Sequence, residues 1–365
     1  MKPPPGPRTR PRTPVRVIAL MNQKGGVGKT TSTVNLGAAL ARSGKRTLLI
    51  DLDPQAHLTL HVGIDPNQLD HSVYDLLTCD TVTVHDVIQT VDERLDVLAG
   101  HVNLAGVEAE LAPKMVTGRA QSILKEKCQT LCAGLADQRD AQSTDAKHPA
   151  TPHAYEYVLI DCPPSLGLLT INALVLAQEV LVPMQAQFLA LQGLSQLLET
   201  VRLISQSFNP GLTVSGIVLC MHENQTLLSQ EVLSDLASFL DSSHDQDVPW
   251  RDAKVLDPPV RRNIKLAECP SFGKTIFGYA PQCHGAADYL GLAASLIKQA
   301  ESTNTPEPAD QVSRDEPSPL PNKPETVAAS PQVMIDTRPP IESAVEPAEP
   351  QDVALSTVER DDGGD

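Results

Sequence analysis

Between Asn22 and Thr31 the chain reads Asn-Gln-Lys-Gly-Gly-Val-Gly-Lys-Thr-Thr, directly after the apolar run Val15–Met21. Backbone N–H groups can turn inward around an anion only where no Cβ obstructs them, which calls for glycine. Gly25, Gly26 and Gly28, followed by Lys29 and Thr30, therefore suit phosphate oxygens. A helix opening at this point adds its positive N-terminal end. In such a loop the lysine bridges the β- and γ-phosphates and the hydroxyl ligates Mg²⁺. The ordinary spacing requires a further glycine five residues before Gly28. This chain has Gln23 there, and a second lysine, Lys24, stands before the glycine pair.

Two more apolar runs end in acids. Thr47–Leu52 leads into Asp51-Leu52-Asp53-Pro54-Gln55, and Tyr157–Asp161 into Asp161-Cys162-Pro163-Pro164-Ser165. Asp51 and Asp53, two apart, share a strand face if the strand persists. An Asp closing an apolar strand holds Mg²⁺ opposite a phosphate loop, directly or through water. The proline pair restricts the backbone that follows. Cys162 reads as a small structural residue.

Positioning these groups requires strands that end side by side. Further apolar runs lie at Leu95–Ala99, Glu179–Met184 and Val214–Met221, rich in Val, Ile and Leu. Continuous runs of this kind mark strands covered on both faces. Helical patterns such as Thr30–Ser43 and Ala190–Ser207 lie between them. The alternation implies right-handed crossovers, a mostly parallel sheet with helices on both faces, and ligands at the carboxyl ends of the strands.

Composition bounds the rest. The 365 residues carry a net charge of −16, unevenly spread. Residues 1–14 hold six prolines and four bases, and 301–365 hold 15 acids, four bases, eleven prolines and no aromatic residue. Neither end can bury enough apolar surface to offset its ordering entropy. The expected organisation is a disordered basic arm at 1–14, one α/β domain at 15–298 and a disordered acidic tail at 299–365. A polar loop insertion interrupts the domain at about 133–153. No apolar stretch is long enough for a membrane helix, and the N-terminus lacks a secretory h-region. Seven scattered cysteines read as reduced thiols of a cytoplasmic protein.

The run Lys24-Gly25-Gly26-Val27-Gly28-Lys29-Thr30 resembles the deviant Walker A loop of the ParA/MinD group of P-loop ATPases. The D-x-D-P-Q run at Asp51–Gln55 and the D-C-P-P-S run at Asp161–Ser165 match the same group. Ser165–Ala173, Ala190–Arg202 and Arg262–Thr275 (RNIKLAECPSFGKT) resemble its ParA/Soj branch of DNA-partitioning ATPases. The resemblance covers about 15–298 apart from the insertion.

It implies a Mg²⁺-dependent ATPase that forms an ATP-sandwich homodimer. Residues Lys24, Gly25, Gly26, Val27, Gly28, Lys29, Thr30 and Thr31 would contact nucleotide, with Asn263 near the adenine. Lys24 would reach the partner's nucleotide as an arginine finger does, with Gly25 and Gly26 at the interface. Asp53 would position the attacking water, making Lys24, Lys29 and Asp53 the catalytic set. Thr30, Asp51 and Asp161 would serve the metal. Lys265, with Arg261 and Arg262 beside it, would grip nonspecific DNA. Gln225 stands where Soj-like relatives carry a second base, and one missing cation weakens such binding without abolishing it. The implied partners are DNA and a ParB-like centromere-binding protein, and the implied location is the nucleoid.

Other branches fit less well. MinD-like spatial regulators, the alternative for a protein cargo, end in a basic amphipathic membrane helix, whereas this tail is acidic and proline-rich. Kinase relatives carry a tyrosine cluster absent from this tail, and no cysteine pair can be matched to a cluster-bridging reductase. A nonhydrolysing scaffold would not need Lys24, Lys29, Asp53 and Asp161 together.

Overall fold

In the computed structural model, residues 15–116, 118–132, 155–187, 190–223 and 227–303 are described. The basic arm, the insertion, the position of Gln225 and the tail beyond Thr303 lie outside them. Eight strands among the described residues form one sheet. They are β1 (Arg16–Leu20), β2 (Thr47–Asp51), β3 (Ile88–Asp92), β4 (Leu95–Leu98), β5 (Tyr157–Asp161), β6 (Glu179–Met184), β7 (Thr213–Leu219) and β8 (Lys254–Val255). Their order is β3-β4-β2-β5-β1-β6-β7-β8. All neighbours are parallel except β3, which returns antiparallel onto β4 as a hairpin.

Six of the eight strands coincide with apolar runs. The two edge strands do not. β3 (IQTVD) is half exposed and alternates polar residues, and β8 has two residues. Edge strands bury one side only and lose the continuous apolar signature.

Alternate residues along the central strands enter two separate cores. Val17, Ala19, Leu48, Ile50, Val158 and Ile160 face helices Leu168–Leu176 and Ala190–Ser207. Ile18, Leu20, Leu49 and Leu159 face helix α1 (Lys29–Arg42) and the last described helix, His284–Thr303. That last helix runs five residues past the boundary expected at 298. Its apolar face continues to Leu296, which is fully buried, with Ile297 packed beside it.

α1 is buried along Ser32–Leu40, so small residues are needed for close approach. A Cβ on Gly37 would meet Leu49 Cδ2 at 2.5 Å. Register then sets the site: Leu20 pairs with Asp161, and Asp51 pairs with Asp161. The ends of β1, β2 and β5 thus lie level, with the glycine-rich loop directly above them.

Helix α2 (His57–His61) packs on the turn Cys269–Phe272 through His61, whose Nε2 lies 3.4 Å from Cys269 Sγ. His61 is 2% exposed, and burial pulls its pKa down to about 4. A base depressed in the folded state gives stability that is present above its unfolded pKa and lost as pH falls toward the folded one. His61's own contribution should therefore fall between about pH 6.5 and 4, by about 3 kcal/mol at most, while buried Asp161 and Asp51, whose pKa values are raised, act in the opposite sense. Denaturant titrations should show the wild type losing stability relative to His61→Gln as pH falls across that window.

Candidate functional site

Residues 22–28 turn tightly between β1 and α1. Gly26 and Gly28 have φ of 73° and 95°, the left-handed region that side chains disfavour. Nothing lies within 4 Å of a Cβ placed on Gly25 or Gly26, so the loop's outer side is open. Asn22 and Gln185 hold it. Asn22 Oδ1 accepts from Lys24 N, Asn22 Nδ2 donates to Pro183 O, and Gln185 Nε2 donates to Gly26 O. Val27 is buried beneath the loop.

The two lysines occupy different settings. Lys29 is 8% exposed, and its Nζ donates to Lys24 O at 3.3 Å. Burial lowers its pKa, while Asp161 and Asp53 counter the shift. Lys24 is exposed, and its Nζ donates to Gln187 Oε1 at 2.7 Å.

Opposite the loop stand the carboxylates. Asp161 is fully buried and accepts from Thr30 Oγ1 (2.7 Å) and Thr33 Oγ1 (3.2 Å). Burial and then the charge of Asp51 push its pKa up to about 8. Asp51 is buried too, its pKa raised by burial to about 6. Its Oδ1 accepts from Asp53 N, and its Oδ2 accepts from Thr59 N and Thr59 Oγ1 at 2.9 and 2.7 Å. Thr59 Oγ1 in turn accepts from Gly100 N. Both Asp51 oxygens are thus engaged by protein donors. Asp53 is half-buried and its Oδ1 accepts from Gln55 N, a short turn that enters Ala56 at φ 50°.

The outlying residues form a second group. Asn263 Oδ1 accepts from Lys265 N and caps the short helix Ile264–Glu268. Arg262 pairs with Glu223 at 3.1 Å and Lys265 with Glu268 at 2.8 Å, all exposed or half-exposed. Arg261 is tied to the buried Asp288 at 2.6 Å. The three cations expected on the DNA surface each face an acid. Thr59, Gly100 and Asp288 carried no local sequence signal, because each bond joins residues distant in the chain.

A family described as an AAA domain matches residues 15–134 and 142–214. The sporulation initiation inhibitor protein Soj of Bacillus subtilis (strain 168) is 40% identical over 281 residues, 77% of this chain and 98% of Soj. The chromosome partitioning protein ParA of Caulobacter vibrioides is 39% identical over 286 residues, 78% of this chain and 95% of ParA. The chain belongs to the Soj/ParA family of chromosome-partitioning ATPases. Among solved structures of this ATPase fold, a Mycobacterium smegmatis protein described as cobyrinic acid a,c-diamide synthase, with ADP and magnesium bound, is 34% identical. Its TM-score is 0.61, over 79% of this chain and 96% of its own. The Pyrococcus furiosus cell division ATPase MinD shares the fold at 24% identity and a TM-score of 0.57, over 78% of this chain and 99% of its own.

The site of this Soj/ParA relative suits a magnesium nucleotide on its own evidence. Asp161 lies beside Thr30 with Lys29 as the nearby cation, and the raised pKa values of Asp161 and Asp51 mark a buried acidic pair that a bound cation would hold ionised. An all-oxygen donor set of this kind suits a hard divalent cation. The thiol of Cys162, pushed up by burial and by Asp161, stays protonated and takes no part. None of the described helices is long and apolar enough to cross a membrane.

Gly28→Ala places a methyl group on a left-handed residue. It should lower stability by about 1–2 kcal/mol and weaken retention of a fluorescent ATP analogue, read by denaturant unfolding and by anisotropy.

Proposed function

We propose that this chain is a DNA-partitioning ATPase whose ATP-bound homodimer coats nonspecific DNA and leaves it when a ParB-like partner stimulates hydrolysis. The observation carrying this reading is the convergence of Lys29 and Thr30 with Asp161 at the level ends of β1, β2 and β5. ParA and Soj, named for chromosome partitioning and sporulation control, match nearly their full lengths.

Each residue then has a task. Backbone N–H groups of the loop from Gly25 to Thr31 hold the phosphates, and Lys29 neutralises their charge. Mg²⁺, held by Thr30 with Asp161 behind it, would neutralise developing charge on the phosphoryl oxygens. Asp51 anchors the loop that carries Asp53, and Asp53 orients the attacking water. Lys24 exchanges Gln187 for the partner subunit's nucleotide, which makes hydrolysis depend on the dimer. Asn263 caps the segment beside the base.

DNA contact falls chiefly to Lys265 and Arg262. Their partners, Glu268 and Glu223, lie at the surface, where ion pairs open readily in favour of a phosphate. Arg261, held by a buried carboxylate, keeps the segment in place. The acids facing all three cations also favour a second reading, a MinD-like positioning ATPase for a protein cargo with little DNA affinity. In either reading the protein works in the cytoplasm.

The deciding test is retention on nonspecific duplex DNA with ATP, with ADP and without nucleotide, over a salt series. ATP-dependent retention that falls with salt supports partitioning, and none at low salt favours the protein-cargo reading. Lys265→Ala should flatten the log–log salt dependence by about 0.9 per protomer. Asp53→Ala should cut phosphate release by about 100-fold or more while ATP still binds. Equal loss of binding and turnover would assign Asp53 to nucleotide affinity instead.

A further inference from the structure

The segment bearing Arg261 and Lys265 is tied to the phosphate loop through the last described helix. Arg261 donates to Asp288 from its backbone N, Nε and Nη2, at 2.6 to 3.1 Å. Asp288 is 3% exposed. Its neighbour Tyr289 is 1% exposed, and its hydroxyl lies 3.1 Å from Ser32 Oγ. Ser32 stands in the first turn of α1, and its N–H donates to Gly28 O at 2.8 Å. Its hydroxyl also lies 3.5 Å from Cys220 Sγ. A Cβ on Gly28 would come within 3.6 Å of that same cysteine. Thus one buried serine, Ser32 of α1, joins the loop, the residue that follows β7 and the last described helix.

We propose that Tyr289 and Asp288 couple nucleotide occupancy of the phosphate loop to the conformation of the Arg261–Lys265 segment. The proposal rests on the nucleotide-site reading above and is independent of whether DNA or a protein is the cargo.

The bonds that hold the loop here are those a nucleotide must replace. Lys29 Nζ is spent on Lys24 O, and Thr30 Oγ1 on Asp161. Phosphates and metal take both groups, which re-seats Gly28 to Thr30 one turn before Ser32. The Ser32 hydroxyl carries one proton and has two partners, so it donates to Tyr289 or to Cys220 and accepts from the other, two discrete donor orders. This gives the path a discrete two-state element. Tyr289 and Asp288 are adjacent on one continuous helix, so a shift felt at the phenol is felt at the carboxylate. The carboxylate holds the backbone N–H of Arg261 as well as its side chain, so the chain itself moves. Burial keeps the Tyr289 phenol neutral and able to donate or accept. Tyr289 and Asp288 are positioning residues, touching neither phosphate nor cargo.

The test is amide hydrogen exchange of residues 259–268 in the full chain. It compares no nucleotide, saturating MgADP and saturating Mg-AMPPNP, with nucleotide binding followed separately by anisotropy. Wild type should show a change of about fivefold in exchange between the apo and AMPPNP states. Tyr289→Phe removes one oxygen from the path. It should bind AMPPNP with similar affinity yet lose most of that change, and Asp288→Asn should do the same. Ser32→Ala tests the other end of the path should Asp288→Asn fail to fold. A wild-type response that persists in Tyr289→Phe overturns the proposal, because direct contact between nucleotide and segment would then explain it. Bound nucleotide with no response in wild type also overturns it. Failure of wild type to bind nucleotide at all overturns the nucleotide-site reading with it.

Discussion

Three parallel strands that end level with one another hold two carboxylates, Asp51 and Asp161, in a place that water does not reach. That arrangement is unfavourable by itself, since burial disfavours both charges and each disfavours the other. Hydroxyls from Thr30, Thr33 and Thr59, a backbone N–H from Thr59 and the nearby Lys29 offset part of the penalty. The rest shows as raised carboxyl pKa values, so the pair holds a proton that a cation at the mouth of the glycine loop would displace. Sheet register, the small residues of α1 and the left-handed glycines all serve to keep that pair where a phosphate-bound cation can meet it.

Legibility in the sequence followed the locality of the physics. The glycine loop is contiguous and its conformation is dictated by residue type, so a tight turn through Gly25, Gly26 and Gly28 between strand and helix could be expected from the sequence. The central strands were readable because burial on both faces leaves nearly unbroken Val, Ile and Leu. β3 and β8 were not, because edges need no such run. Arg261 shows the limit more sharply. A base beside Arg262 and Lys265 suggests an exposed cationic stripe, but its partner lies 27 residues away on another helix, a pairing only the fold creates. Asp51 is similar. The resemblance put it with the metal group, and the donors that occupy its oxygens come from Asp53 and Thr59.

The solved relative from Mycobacterium smegmatis bears a name for a different reaction at 34% identity. A phosphate loop over level strand ends activates a terminal phosphate whatever lies beyond it, so the shared fold speaks to nucleotide chemistry alone. What distinguishes members is therefore to be sought outside that centre.

The loop after β2 differs in kind from the loop after β1. The phosphate loop is braced from below by Val27 and by an α1 packed on nearly every side. The Asp53 loop instead passes through Ala56, an alanine kept in the left-handed region at a cost of about 1 kcal/mol. A small adjustment there would re-aim Asp53 while leaving the glycine loop in place. Evolution could therefore lengthen or shorten the lifetime of the bound state while leaving affinity alone. Under the proposed role of Asp53 in orienting the attacking water, that separation makes the duration of the nucleotide-bound state an independently tunable trait.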